Sequence, residues 1–341
     1  MHATLRPPMR IAVIGAGAVG GAIAALLARA GHTVEVTARG AHLEAIWERG
    51  IHLTGAWGDY VAEVEAGETL TRPPELAILA TKAGDARSAI AENVGVLRGI
   101  PLVVIQNGLD SLTNAREEAP RSDIVGGLAT FATSYLSPGE ITVTTAGALY
   151  VGVAFGDDLP ARYAARTLNE ALATTVIPNF TGAQWTKLVI NQINALPAIT
   201  GLSVQAVVRI GRLRRLMTAS MRECVRIGYA NSVRFEKLQG LGPKGLRLFS
   251  ILPVWIGQAL PALMSARIGR VPNPGSTLQS IRRGQPTEVD YLNGSVVRAA
   301  ETVGRAAPLN ALMVTLVHEV ETSGEFFTPE AVLERAKLAG V

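Results

Sequence analysis

Three glycines, Gly15, Gly17 and Gly20, follow the compact apolar run Arg10-Ile-Ala-Val-Ile and precede an Ala- and Leu-rich stretch over 18–30. The run reads as a buried strand over 10–14. The stretch reads as a helix that Gly31 stops at its C-terminal cap. A second strand, Thr-Val-Glu-Val-Thr-Ala, follows over 33–38. A G-x-G-x-x-G spacing is weak on its own. Between a strand and a helix, with a second strand at the expected distance, it marks the loop of a Rossmann βαβ unit. The first glycine permits the tight turn, the second lets backbone approach a pyrophosphate, and the third lets helix pack on strand. The helix start adds free N–H groups and the positive end of the helix dipole. Gly15, Ala16, Gly17, Ala18, Val19 and Gly20 are thus expected to cradle the phosphates of a dinucleotide. The plainer reading is a Gly-rich turn in an α/β protein with another ligand.

The end of the second strand selects the cofactor. NAD-type sites carry Asp or Glu there for the ribose hydroxyl. This chain has Ala38 and then Arg39. A guanidinium grips a 2′-phosphate through two parallel hydrogen bonds, so NADP(H) is expected rather than NAD. Glu35 lies mid-strand, too early for the ribose.

Strands and helices go on alternating. A helix over 41–49 ends at Gly50, and a hairpin-like excursion runs through Ile-His-Leu-Thr-Gly and Tyr-Val-Ala-Glu-Val-Glu-Ala. Strands follow over 75–81 and 101–107, with a helix over 84–97 between them. This alternation predicts a doubly wound, mostly parallel α/β sheet. The Thr-, Gly- and Val-rich stretch over 124–153, with turn chemistry at Ser137-Pro138-Gly139, reads as strands that complete the sheet edge. After Pro178 the pattern becomes helical, over 183–230, 244–268, 287–304 and 309–322. A boundary at 178–182 gives a Rossmann NADP-binding domain over 1–179 and an all-α substrate and catalytic domain over 180–341. A chain of 341 residues is long enough for two buried cores.

Several function classes fall away. The net charge of +4 is mild, and its densest cluster, Arg209, Arg212, Arg214 and Arg215, lacks interleaved aromatics. It reads as a solvated helix face, not a nucleic-acid surface, while the mild positive field suits an anionic substrate. The single cysteine, Cys224, allows no intrachain disulfide, suits a reducing cytoplasm, and reads as a buried inert thiol. The apolar stretches 11–28 and 249–264 are interrupted by glycines and by Pro253 and Pro261, so neither is assigned to a membrane or to targeting. His2, His32, His42, His52 and His318 lack metal-ligand spacing and read as surface residues, and no metal is expected.

A nicotinamide enzyme acting on a ketone needs a proton donor beside the hydride. Lys187, Asn191 and Asn194 fall on one helical face within the apolar segment Leu188, Val189, Ile190 and Ile193. A buried lysine loses basicity and becomes a competent acid near neutrality. The plainer reading is a snorkelling lysine with asparagines on backbone groups. Glu288 follows Pro286-Thr287, a helix start, where a carboxylate can simply answer the helix dipole. Ser276 stands in the turn Pro272-Asn-Pro-Gly-Ser276, where capping the next helix and binding a carboxylate are both open.

Nearly the whole chain resembles the ketopantoate reductase (2-dehydropantoate 2-reductase) family. The resemblance rests on ordered landmarks: Gly15–Gly20, Arg39, Ala-Thr-Lys82-Ala, Gln-Asn107-Gly-Leu, Trp-Thr-Lys187-Leu-Val-Ile-Asn-Gln-Ile-Asn and Thr-Glu288-Val-Asp-Tyr-Leu-Asn-Gly. It implies a Rossmann domain joined to a helical domain like that of 6-phosphogluconate dehydrogenase. It also implies NADPH-dependent reduction of a 2-oxo acid in pantothenate synthesis. By the same resemblance Lys187 is the general acid and Glu288 orients substrate and cofactor. Lys82 and Asn107 belong to the cofactor pocket, with Asn107 also bordering the reacting centre. Asn191, Asn194, Asn273 and Ser276 match substrate-binding positions. Two departures bear on which substrate is taken. The family's asparagines commonly stand four and eight residues past the lysine, whereas Asn194 is seven past Lys187. A common Asp four residues after the matched serine is Ser280 here. The resulting picture sets the 2-oxo acid between the domains, with its carboxylate near Ser276 and Asn273. A dehydrogenase of the same scaffold for another 2-oxo or 2-hydroxy acid, and a non-catalytic NADP(H)-sensing protein, are the alternatives. Homodimerisation is left open.

Overall fold

The structure, a computed structural model, describes residues 7–269 and 271–340, so His2 lies outside the described residues. The chain divides into two compact units. The first holds Met1–Gln106 and Asp110–Phe180, the second Asn107–Leu109 and Thr181–Val341.

In chain order the first unit runs β1 (Arg10–Ile14), α1 (Ala18–Arg29), β2 (Thr33–Thr37), α2 (Gly40–Arg49), β3 (Ile51–Gly55), β4 (Tyr60–Ala62) and β5 (Glu65–Gly67). There follow β6 (Leu76–Leu79), α3 (Ala86–Asn93), β7 (Leu102–Val104), α4 (Ser111–Glu118) and β8 (Ile124–Ala129). It closes with β9 (Ala132–Ser137), β10 (Glu140–Thr145), β11 (Leu149–Gly152), α5 (Leu159–Leu168) and β12 (Thr174–Val176). Among the described residues, eight strands form one sheet in the order β12-β11-β8-β7-β6-β1-β2-β5. Its pairings are parallel except β8 with β11. Residues 11–14 of β1 and 76–79 of β6 are wholly buried, as central parallel strands covered on both faces must be. Strand order turns outward in both directions from β1 and β6, so the Gly15–Gly20 loop emerges at the switch point of a doubly wound sheet.

The stretch 124–153 departs from expectation. It does not complete the sheet edge as one block. β8 and β11 enter the main sheet, β9 and β10 join β3 and β4 in a second sheet of order β4-β3-β10-β9, and β12 takes the edge. The turn at Pro138-Gly139 folds β9 back on β10, and β10 then runs parallel to β3, which draws the pair away. Eight-residue, polar α4 and three-residue β12 are absent from the sequence reading, because so few residues carry little periodicity. Helix α5 is absent too, although Ala161, Ala164, Ala165 and Leu168 form a buried stripe at helical spacing that could have marked it.

The second unit is helical: α6 (Phe180–Asn191), α7 (Ala195–Thr200), α8 (Val204–Arg209), α9 (Gly211–Ala230), α10 (Pro243–Ile251), α11 (Val254–Gly257) and α12 (Ala259–Ile268). Then come α13 (Gly275–Arg282), α14 (Asn293–Glu301), α15 (Pro308–Ser323) and α16 (Pro329–Leu338). The expected helix over 183–230 is four helices. A 3-10 turn, Gln192–Asn194, follows α6, Gly201 ends α7 in the left-handed conformation, and the Ser203 hydroxyl caps α8. Likewise 244–268 breaks before Pro253, and 287–304 opens as a 3-10 turn, Val289–Tyr291. Buried Leu213, Met217, Met221, Cys224 and Val225 of α9 form the spine of this unit's core. Burial raises the Cys224 thiol's pKa, so it stays protonated and inert. No helix among the described residues is long and apolar enough to cross a membrane.

Candidate active site

The glycine loop is shaped by backbone. Gly15 takes φ +95°, a left-handed conformation that a side chain disfavours. A Cβ on Gly20 would collide with the Gly15 carbonyl, so the start of α1 can sit against the loop only with glycine there. The Gly15 N–H donates to Thr37 Oγ1 (2.9 Å) and the Ala16 N–H to the Thr37 carbonyl (2.9 Å). Gly17 occupies the N-cap of α1, followed by Ala18 and Val19, and nothing stands within 4 Å of where its Cβ would project. An open cradle of backbone at a helix N-terminus fits a pyrophosphate.

Arg39 is the N-cap residue of α2 and is largely exposed, with its Nη2 2.6 Å from Glu92 Oε2. Such an exposed pair is weak and can be exchanged for a phosphate. Glu35 is buried and accepts from the Thr71 N–H (2.6 Å) and hydroxyl (2.7 Å), so its carboxylate is engaged with the loop before β6. Lys82 precedes a 3-10 turn, Ala83–Asp85, and its carbonyl accepts from Gln106 Nε2 (3.3 Å).

In the second unit, side chains far apart in sequence meet. Asn107 Nδ2 donates to Glu288 Oε2 (3.0 Å), and Asn191 Nδ2 donates to Asn107 Oδ1 (3.3 Å). Lys187 lies near enough to feel the Glu288 carboxylate. Part of its surface stays open, but its ammonium is densely surrounded by protein. Desolvation lowers its pKa to about 8, with Glu288 opposing more weakly. A lysine that is acidic near neutrality, beside a carboxylate and two carboxamides, can donate a proton to a ligand oxygen.

Two features missed in the sequence hold Asn107. Gly108 sits at φ +93°, and its Cα approaches the Tyr291 carbonyl so closely that a Cβ would stand 2.6 Å away. Gln184 Nε2 donates to the Gly108 carbonyl (2.8 Å). Gly108 in the Gln-Asn-Gly-Leu run was the available signal, since glycine after asparagine marks a turn. Glu288 leads into the 3-10 turn Val289–Tyr291, not an α-helix. Its neighbour's N–H, on Thr287, donates to Glu321 Oε1 (2.7 Å).

Asn194 ends the 3-10 turn after α6, and its side-chain oxygen packs on Gly275 at the start of α13. Ser276 does not cap α13. Pro274 holds the N-cap position, and Asn273 Oδ1 accepts from the Gly275 N–H (2.8 Å), because a carboxamide two residues ahead reaches that group more readily. Ser276 is exposed on the first turn. Gln205, also missed, clasps this turn: its Oε1 accepts from the Asn273 N–H (2.9 Å) and its Nε2 donates to the Val271 carbonyl (2.8 Å). Of the histidines, His32 is buried and His42, His52 and His318 are half-buried, not on the surface as expected. His32 Nδ1 accepts from the Met9 N–H while its Nε2 lies 3.5 Å from Glu170 Oε2, and both ring nitrogens of His42 find backbone partners in Ala16 and Gly139.

The sequence model of the family described as Ketopantoate reductase PanE/ApbA matches residues 11–155, and that of Ketopantoate reductase PanE/ApbA C terminal matches 179–321. A 2-dehydropantoate 2-reductase of Pyrococcus horikoshii is 29% identical over 322 residues, covering 93% of this chain and 99% of its own. Among solved structures, a PanE/ApbA family ketopantoate reductase from Ralstonia eutropha JMP134 superposes with a TM-score of 0.78 at 27% identity, over 92% of this chain and 99% of its own. D-mandelate dehydrogenase with NADH and anilino(oxo)acetate shares the fold at TM-score 0.80 and 19% identity, over 92% of this chain and 99% of its own.

Proposed function

Because this chain belongs to the ketopantoate reductase family, we propose that it reduces a 2-oxo acid, 2-dehydropantoate, to the 2-hydroxy acid with NADPH. The observation that carries the reading is the lysine with its pKa lowered to about 8, beside Glu288 and the Asn107–Asn191 carboxamides. Gly15, Ala16, Gly17, Ala18, Val19 and Gly20 would hold the pyrophosphate, and Arg39, now paired with Glu92, would turn to the 2′-phosphate. Lys82 and Asn107 are assigned to the cofactor pocket by the family resemblance. When bound, the reduced nicotinamide supplies the hydride.

Lys187 Nζ gives its proton to the ketone oxygen as the carbonyl carbon takes the hydride, so the oxygen leaves as a hydroxyl and never as a free alkoxide. The Glu288 carboxylate holds the ammonium in place, and Asn107 ties that carboxylate to Asn191. Asn191, Asn194, Asn273 and Ser276 supply polar contacts to the substrate, its carboxylate taken at the start of α13. The exposed apolar side chains of Leu248, Ile251, Trp255 and Leu263, on α10–α12, support the reading of a homodimer. The single buried thiol suits a cytoplasmic protein. Steady-state NADPH oxidation with 2-dehydropantoate tests the reading, with NADH as the control. Turnover preferring NADPH supports it. Tight NADPH binding without turnover overturns the substrate assignment and points to another 2-oxo acid.

A further inference from the structure

We propose that His42 is a positioning residue for the cofactor's pyrophosphate, an inference that rests on the dinucleotide reading of Gly15–Gly20. His42 lies on the first turn of α2, three residues past Arg39. Its Nδ1 is 3.0 Å from the Gly139 nitrogen and its Nε2 2.7 Å from the Ala16 carbonyl oxygen. A backbone N–H can only donate, so Nδ1 accepts from Gly139. The proton of the neutral ring therefore sits on Nε2 and is donated to Ala16. The ring is fixed besides by an edge-on contact with Tyr135, the centroids 5.0 Å apart and the planes at 76°.

The consequence passes through one peptide plane. The described chain has no cis peptide bonds, so the Ala16 carbonyl and the Gly17 N–H lie in one plane and point in opposite directions across the bond they share. The Ala16 N–H is already held by the Thr37 carbonyl. With His42 gripping the carbonyl, the plane is fixed, and the Gly17 N–H is turned away from the ring at the N-cap of α1, which Gly17 itself occupies. His42 thereby presets a phosphate donor that a glycine peptide would otherwise leave free to rotate. The second sheet is the anchor: Gly139 lies in its β9–β10 turn, and Ile141 of β10 packs on Gly21 of α1.

The test uses the full chain and cofactor fragments. His42→Phe keeps an aromatic ring on Tyr135 and loses both nitrogens, whereas His42→Gln keeps one donor and one acceptor. ADP carries the pyrophosphate, and adenosine 2′-monophosphate carries only the group assigned to Arg39. His42→Phe is expected to weaken ADP, NADPH and NADH by one common factor of about tenfold, to leave adenosine 2′-monophosphate unchanged, and to be largely repaired in His42→Gln. Unchanged ADP affinity in His42→Phe overturns the proposal. So does an equal loss of ADP and adenosine 2′-monophosphate, which marks general damage to the unit. A wild-type chain that binds neither ADP nor NADPH overturns the cofactor reading itself before any variant is read.

Discussion

The glycine loop and the lysine cluster solve the same problem, holding groups still for a ligand, with opposite materials. The loop spans six residues, and its donors are peptide groups shaped by missing side chains. The cluster is made of side chains that span 181 positions, from Asn107 to Glu288, and meet only after folding. A backbone site survives most changes to neighbouring side chains and fails when a glycine gains a Cβ. A side-chain site fails piece by piece, each loss with its own kinetic signature.

Lys187→Ala sets the two apart most sharply. Turnover is expected to fall by about 10²–10⁴, the worth of a general acid, with the NADPH dissociation constant unchanged. An equal loss of both would dissolve the distinction. Arg39→Ala works on the other region: NADPH affinity drops about 10–100-fold, as expected for charged hydrogen bonds, while NADH affinity and turnover with NADH hold. A smaller change separates scaffold from chemistry. Gly108→Ala places a Cβ 2.6 Å from the Tyr291 carbonyl at positive φ, which costs about 1–3 kcal/mol. Its kcat should fall about tenfold through the displaced Asn107. A lowered Tm with unchanged kcat would show that Asn107 is only structural. The mildest probe is pH. The acid form of Lys187 is the active one, so kcat/KM is flat below the folded pKa, halves at about 8 and declines above it. Lys187→Ala should lose that limb.

Legibility in the sequence follows the same division. The βαβ unit was readable because glycine spacing, apolar runs and helix caps are all local. Lys187, Asn191 and Glu288 were nameable as residue types on a stripe or at a turn. Their meeting with Asn107 was implied only by family resemblance, because a 3.3 Å carboxamide contact leaves no periodic trace. Gln184, Gln205 and Thr37 carried no signal at all, since a polar residue holding a carbonyl looks like any other polar residue. His42 was misread for the same reason, whereas β9 and β10 left the main sheet through a turn at Pro138-Gly139 and a pairing of β10 with distant β3 that no local pattern announces.

The 3-10 turn at Gln192–Asn194 has a consequence for chain length. Three residues of 3-10 helix climb about 6 Å and complete about one full turn, the rise that four residues of α-helix achieve with slight overshoot. A helix that tightens there can therefore give up one residue without shortening its axis or swinging its last asparagine off the stripe that bears Asn191. The turn acts as a vernier, able to absorb a difference of one residue as a change of pitch. In comparisons of this segment, counting residues from the lysine is a poor ruler, and height along the axis is a better one.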